Sequence, residues 1–156
     1  MKQANILAFS SSRAGNGGYL ESAVQVIKPF LGEEAKTIAF VPFASVDSYS
    51  DYAEKVRQGL SSLKHKIELV EPGNAKEVIA AADAIMIGGG NTFKLLHDLY
   101  KAGVVELIRE RVSDGVPYIG WSAGSNLTGP TICTTNDMPI IEPESFHSFG
   151  FFSFQI

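Results

Sequence analysis

Cysteine is almost missing from this sequence: Cys133 stands alone among 156 residues. An internal disulfide is therefore excluded, and with no Cys/His cluster at zinc-binding spacing a structural metal is not expected. A basic excess is also missing. Thirteen Lys and Arg against seventeen Asp and Glu give a formal charge of -4, without the basic run that tracks a phosphate backbone, so nucleic acid is not an expected partner. The apolar runs near 5–9, 38–43 and 84–87 are too short to span a bilayer, and no charged-then-apolar leader opens the chain. A membrane partner is not expected, and a soluble cytoplasmic protein is. Neither GxGxxG nor a GKS/GKT ending occurs, so a nucleotide is not expected and no cofactor of any kind is implied.

What is present suits one globular α/β domain. Hydrophobic residues make up 45% of the chain and charged ones 19%, enough apolar material for a core. Short β-branched or aromatic runs alternate with stretches of helical period, the pattern of a doubly wound, mostly parallel sheet with helices on both faces. Strands are expected at 5–10, 37–42, 66–70, 84–88 and 118–121. Between them the spacing predicts a helix with Leu20, Val24 and Ile27 on one face, which Pro29 should end or kink, and one carrying Tyr52, Val56, Leu60 and Leu63. A short helix is expected near 76–82. Another bears Phe93, Leu96 and Leu99 and is capped by Asn91 or Thr92, and a last one over 104–112 stops at Gly115.

Two glycine-bearing turns follow strands and share one rim of that sheet. Gly120-Trp121-Ser122-Ala123-Gly124 has the Gly-x-Ser-x-Gly pattern between a strand and a helix, the context of a nucleophile elbow. A serine on so sharp a turn needs small neighbours, and the backbone N–H of Ala123 at the following helix start could serve an oxyanion. Gly88-Gly89-Gly90-Asn91 occupies the equivalent place after the fourth strand, where the amides of Gly89 and Gly90 could complete an oxyanion hole. The competing readings of this second turn are a phosphate-binding turn and a plain helix-entry turn, and that of the serine segment is an ordinary packing feature of a βα turn. Asp137 lies in the turn-prone Thr134–Pro139 segment, where local sequence alone reads it as an Asx-turn carboxylate. A triad also needs an imidazole. His65 precedes the third strand, His97 lies within a helix and His147 in a late loop, and none is an obvious base for Ser122.

From Thr131 the chain is poor in helix formers and closes on Phe149-Gly150-Phe151-Phe152-Ser153-Phe154-Gln155-Ile156. Read locally, that apolar ending is a buried strand. It also suggests that residues 1–156 form the N-terminal portion of a longer domain.

Together these segments resemble those of peptidase E, the α-aspartyl dipeptidases of serine peptidase family S51. The match is carried by Ser10-Ser11-Ser12, Phe40-Val41-Pro42-Phe43-Ala44, Gly88–Phe93, Gly120–Asn126 and Thr134-Thr135-Asn136-Asp137-Met138-Pro139, in the family order along nearly the whole chain. The resemblance implies a fold like that of class I glutamine amidotransferases, flavodoxin-like in class. It implies Ser122 as nucleophile, Asp137 as the acid of the triad, and Gly89, Gly90 and Ala123 as the oxyanion region, with no metal and no cofactor. A glutamate further along is the other candidate for the acid. The family's histidine stands in an Asn-Pro-His segment that this sequence does not contain, and the arginine-bearing part expected to recognise aspartate is not found here either. The implied activity is removal of N-terminal aspartate from Asp-X dipeptides, so the expected partner is a small peptide. A following chain segment or a second copy in a homo-oligomer is a further candidate partner. A non-catalytic module holding a small anion, and a serine hydrolase of cyanophycin or β-aspartyl peptides, fit the same residues.

Overall fold

A computed structural model describes residues 4–156. Five parallel strands form one sheet in the order β1-β5-β4-β2-β3: β1 Ile6–Phe9, β2 Thr37–Val41, β3 Lys66–Leu69, β4 Ala84–Ile87 and β5 Tyr118–Trp121. The helices are α1 Glu21–Leu31, α2 Tyr49–Gly59, α3 Ala75–Ala81, α4 Thr92–Lys101, α5 Val105–Ser113 and the single turn α6 Ala123–Asn126. The expected doubly wound α/β architecture is the one found.

Connection handedness explains which helix covers which face. From β1 the chain crosses over to β2 and on to β3 in one direction, then reverses to reach β4 and β5. Right-handed crossovers therefore put α1 and α2 on one face and α3, α4 and α5 on the other. Ala23, Ile27, Ala53 and Val56 accordingly pack with Ile38, Phe40, Met86 and Trp121. Val78, Leu95, Leu99, Ile108 and Val112 pack with Ala39, Val41, Ile85 and Ile87. Alternate residues of β2 and β4 thus enter opposite layers, and β4 is buried throughout, which is why it reads as a continuous apolar run.

Two local expectations are corrected. Pro29 does not end α1, which continues to Leu31; the ring costs the helix one i→i−4 hydrogen bond, and Ile27 and Leu31 on either side of it stay buried on the sheet. The Phe-rich ending is not a strand. Gly150 adopts φ +63°, which breaks an extended run, and Phe149, Gly150 and Phe151 donate their amides to the carbonyls of Leu127, Gly129 and Thr128 instead of a neighbouring strand. Phe149 is buried against Tyr118, whereas Phe154 is exposed. Among the described residues no helix is long and apolar enough to cross a membrane.

Candidate functional site

Parallel strands all deliver their following loops to one edge of the sheet. Ligand clefts form there where neighbouring strands send their chains to opposite faces. In this order that happens between β1 and β5 and again between β4 and β2, because β1 and β2 lead to α1 and α2 while β4 and β5 lead to the other layer. A cleft of about 760 Å³ opens at that edge, lined by Ser10–Ser12 after β1, Ala44–Ser48 after β2, Gly89–Asn91 after β4 and Trp121–Ser122 at β5. Asp51, Tyr52 and Lys55 of α2 form its flank.

Ser122 projects into this cleft from a strained backbone. Its φ of 53° with ψ -115° is a conformation that non-glycine residues rarely adopt, costing about 1–3 kcal/mol that the surroundings must offset. The surroundings do so through hydrogen bonds. Ser122 N–H donates to Phe9 O at 3.0 Å, and its carbonyl accepts from Ser125 N at 2.9 Å and Asn126 N at 3.0 Å. The Ser125 hydroxyl, buried behind the turn, donates to Phe9 O at 2.7 Å with Gly120 O at 3.0 Å. Both flanking glycines are sterically required: a Cβ on Gly120 would lie 2.6 Å from Gly124 O, and one on Gly124 would collide with the Ile87 carbonyl. Tyr118, fully buried at the start of β5, donates its hydroxyl to Gly124 O at 2.5 Å.

The second glycine turn is pressed against the first. A Cβ on Gly89 would come within 2.9 Å of Ser122 Cβ. Gly90, at φ +141°, leaves no room for a side chain beside the Ala44 carbonyl, to which Asn91 N donates at 2.8 Å. Trp121 Nε1 donates to the Tyr52 hydroxyl at 3.2 Å, which in turn donates to Gly89 O at 3.0 Å. That chain fixes the peptide whose other side faces the serine. The amides of Gly89, Gly90 and Ala123 donate to no acceptor among the described residues, as amides reserved for a ligand oxygen would. Because α6 has only four residues, these local amides and not a long helix dipole provide the positive end.

Asp137 is brought to the same neighbourhood by another route. Its Oδ2 accepts Thr92 N–H at 2.8 Å, while Asn91 caps α4 through Lys94 N at 3.0 Å and donates Nδ2 to Met138 O at 2.8 Å. The 134–139 segment is thereby tied to the exit of the glycine turn. Asp137 does not line the cleft, and among the described residues it contacts no histidine.

The histidines are placed elsewhere. His65 accepts Lys36 N–H at 3.2 Å just before β3, at the sheet edge opposite the cleft, and burial with the nearby Lys36 charge holds its pKa below the usual value. His97 lies on α4 with Nδ1 2.9 Å from Asp98 Oδ1. His147 is exposed, its carbonyl accepting from the Tyr100 hydroxyl at 2.8 Å. None lines the cleft. Among the described residues no group of three or more His, Cys, Asp or Glu could hold a metal ion.

Sequence reasoning missed the flank of the cleft. Tyr52 reads as one apolar position of an amphipathic helix, yet its hydroxyl has two partners in the wall; burial, the larger influence, pushes its pKa up, so it remains a neutral donor. A tyrosine at a core-facing position is the one signal that could have drawn attention there, since a buried phenol needs a partner.

Comparison with known proteins adds to this geometry. The model of peptidase family S51 matches residues 6–156. The chain is 49% identical to a peptidase E of Shewanella denitrificans over 154 residues, 97% of this chain and 65% of the relative. It is 46% identical to a peptidase E of Haemophilus influenzae over 155 residues, 97% of this chain and 71% of that protein. A solved structure of a candidate peptidase E from Listeria monocytogenes EGD-e superposes with TM-score 0.80 at 28% identity, covering 97% of this chain and 77% of that one. At 65%, the chain spans less than two thirds of the length of the Shewanella relative.

Proposed function

The chain belongs to peptidase family S51, and from that membership and the geometry at Ser122 we propose a serine exopeptidase that hydrolyses Asp-X dipeptides through an acyl-enzyme. The observation that carries the reading is the strained Ser122, exposed in the cleft with Gly89 packed against it. In the proposed mechanism Ser122 Oγ attacks the scissile carbonyl. The oxyanion that forms is held by the free amides of Gly89, Gly90 and Ala123, and the departing amine takes the proton released by the serine. Water then adds to the acyl-enzyme and regenerates the hydroxyl. The carrier of that proton is a histidine supplied from outside these 156 residues, since none of the three in the sequence lines the cleft. Asp137, at the exit of the oxyanion turn, is proposed as the acid of the triad that this histidine would complete. A cytoplasmic location belongs to the same proposal and is tested by fractionating cells that express the protein.

Hydrolysis of Asp-Leu, β-Asp-Leu and a neutral dipeptide, compared between the wild type and Ser122→Ala, tests this directly. Turnover of Asp-Leu that vanishes with the serine is expected; near-normal turnover in the alanine variant would overturn it. The absence of histidine from the cleft lining favours one second reading, a module that binds a carboxylate ligand without turnover. Binding of Asp-Leu without any hydrolysis would select it.

A further inference from the structure

The cleft holds an uncommitted cation. Lys55, on the α2 flank, is the sole lysine or arginine among the described residues that line the cleft, in a protein whose formal charge is -4. Asp51 stands four residues earlier on the same helix and also lines the cleft, as does Asp47, yet among the described residues no carboxylate approaches the Lys55 ammonium within ion-pair distance. Lys55 Nζ instead lies 4.6 Å from the centroid of the Tyr19 ring. A cation over an aromatic face is held in place without being neutralised. Tyr19 cannot neutralise it by ionising either, since burial pushes that hydroxyl far above its ordinary pKa. The ring is itself fixed edge-on to Trp121, the residue preceding Ser122.

We propose that Lys55 is a carboxylate-binding residue of the cleft, its ammonium held over Tyr19 to receive one carboxylate of the dipeptide while Ser122 and the glycine amides receive the scissile carbonyl. The proposal rests on the reading of this cleft as the substrate site, and deepens it by assigning a specificity residue. An Asp-X dipeptide carries two carboxylates, one on the aspartate side chain and one at the C-terminus. Lys55 meets one of them, and the two sources separate experimentally.

The test is calorimetric titration in the Ser122→Ala background, where bound peptide is not consumed. The ligands are Asp-Leu, Asn-Leu, which lacks the side-chain carboxylate, and Asp-Leu amide, which lacks the terminal one. Lys55→Gln is expected to weaken Asp-Leu binding about five- to tenfold, between the worth of an exposed ion pair and that of a buried charge-assisted hydrogen bond. Lys55→Arg should stay within about twofold, and added salt should weaken binding to the parent and not to the Gln variant. The ligand lacking the carboxylate that Lys55 meets should bind the parent and the Gln variant alike, which identifies the source. Unchanged Asp-Leu affinity in Lys55→Gln, equal loss for all three ligands, or no binding of Asp-Leu to the parent would each overturn the proposal. Lys55-dependent binding without Ser122-dependent hydrolysis would leave the carboxylate site standing and remove the peptidase reading. Ser122-dependent hydrolysis with Lys55-independent binding would do the reverse.

Discussion

Gly89 and Ser122 are packed so closely that a methyl group on the glycine would sit 2.9 Å from the serine Cβ. The contact couples the two glycine-bearing turns, which come from strands separated by α4 and α5 in the chain. Gly89→Ala must therefore push one turn away from the other, spreading the amides proposed to hold the oxyanion. Removing one such donor in a serine hydrolase typically costs on the order of a hundredfold in kcat. A loss of about that size on Asp-Leu is expected, with KM changed far less, because the distortion acts on the oxyanion and not on the Lys55 flank. A KM-dominated effect with normal kcat would show that the turn binds substrate without serving the transition state.

Asp137 is engaged with the backbone of α4. With its Oδ2 accepting Thr92 N–H at 2.8 Å, it satisfies one of the orphan amides at the helix start, beside the cap that Asn91 provides. Asp137→Ala should lower unfolding stability by about 1 kcal/mol, the usual worth of a helix cap, and Asp137→Asn should recover much of that, since an amide oxygen also accepts. Thermal melts of the two variants separate this supporting role from a purely chemical one. If alanine melts with the wild type while activity collapses, the residue acts on the reaction and not on the helix.

The part of the site that was legible in the sequence is the part governed by local sterics. Gly120 and Gly124 could be read as obligatory because a sharp strand-to-helix turn admits no Cβ, and the structure shows the carbonyls of Gly124 and Ile87 occupying that space. Strands such as β4 were legible because burial on both faces leaves only apolar residues. The closing Phe149–Phe154 run misled, because hydrophobicity reports burial and not extension, and the hydrogen bonds to Leu127, Thr128 and Gly129 that shape it are formed with distant residues. Nothing in the local sequence singles out Lys55, and Tyr52 reads as a core position of its helix, for the same reason. Their place beside Ser122 depends on which strands neighbour which, and helical periodicity carries no such information.

Acid sensitivity is expected from the pair on α4. Burial alone would raise the Asp98 pKa, but hydrogen bonds from Lys94 and His97 and the Lys94 charge together hold it below the ordinary 3.8. Lys94 Nζ lies 2.7 Å from Asp98 Oδ2 and also donates to the Tyr49 hydroxyl and to Phe43 O. A carboxyl whose folded pKa is depressed stabilises the fold fully above its unfolded value and loses that contribution as pH falls through the folded one. The wild type should therefore lose stability on acidification below about pH 3.8. Asp98→Asn should be less stable near neutrality and show a flatter profile in that range. Parallel profiles for the two proteins from pH 7 to 3 would remove this pair from the acid response.

Tyr118 supplies a buried side-chain hydrogen bond to the serine turn. Its hydroxyl, fully buried, meets Gly124 O at 2.5 Å, while its ring packs edge-on to Phe149 and Phe151. Tyr118→Phe keeps the ring and its packing and deletes only the donor, leaving the Gly124 carbonyl without that partner in a site closed to water. The cost of such an orphaned acceptor is about 1–3 kcal/mol, which for a domain of this size lowers the melting temperature by roughly 2–4 °C per kcal/mol. The same carbonyl crowds Gly120 on one side of the elbow. Its release should relax the positive φ of Ser122, so kcat should fall beyond what the loss of folded protein explains. Melting and kcat measured together on this variant decide between two roles: a drop in both places Tyr118 among the groups that hold the strained serine, whereas a drop in stability alone confines it to the core.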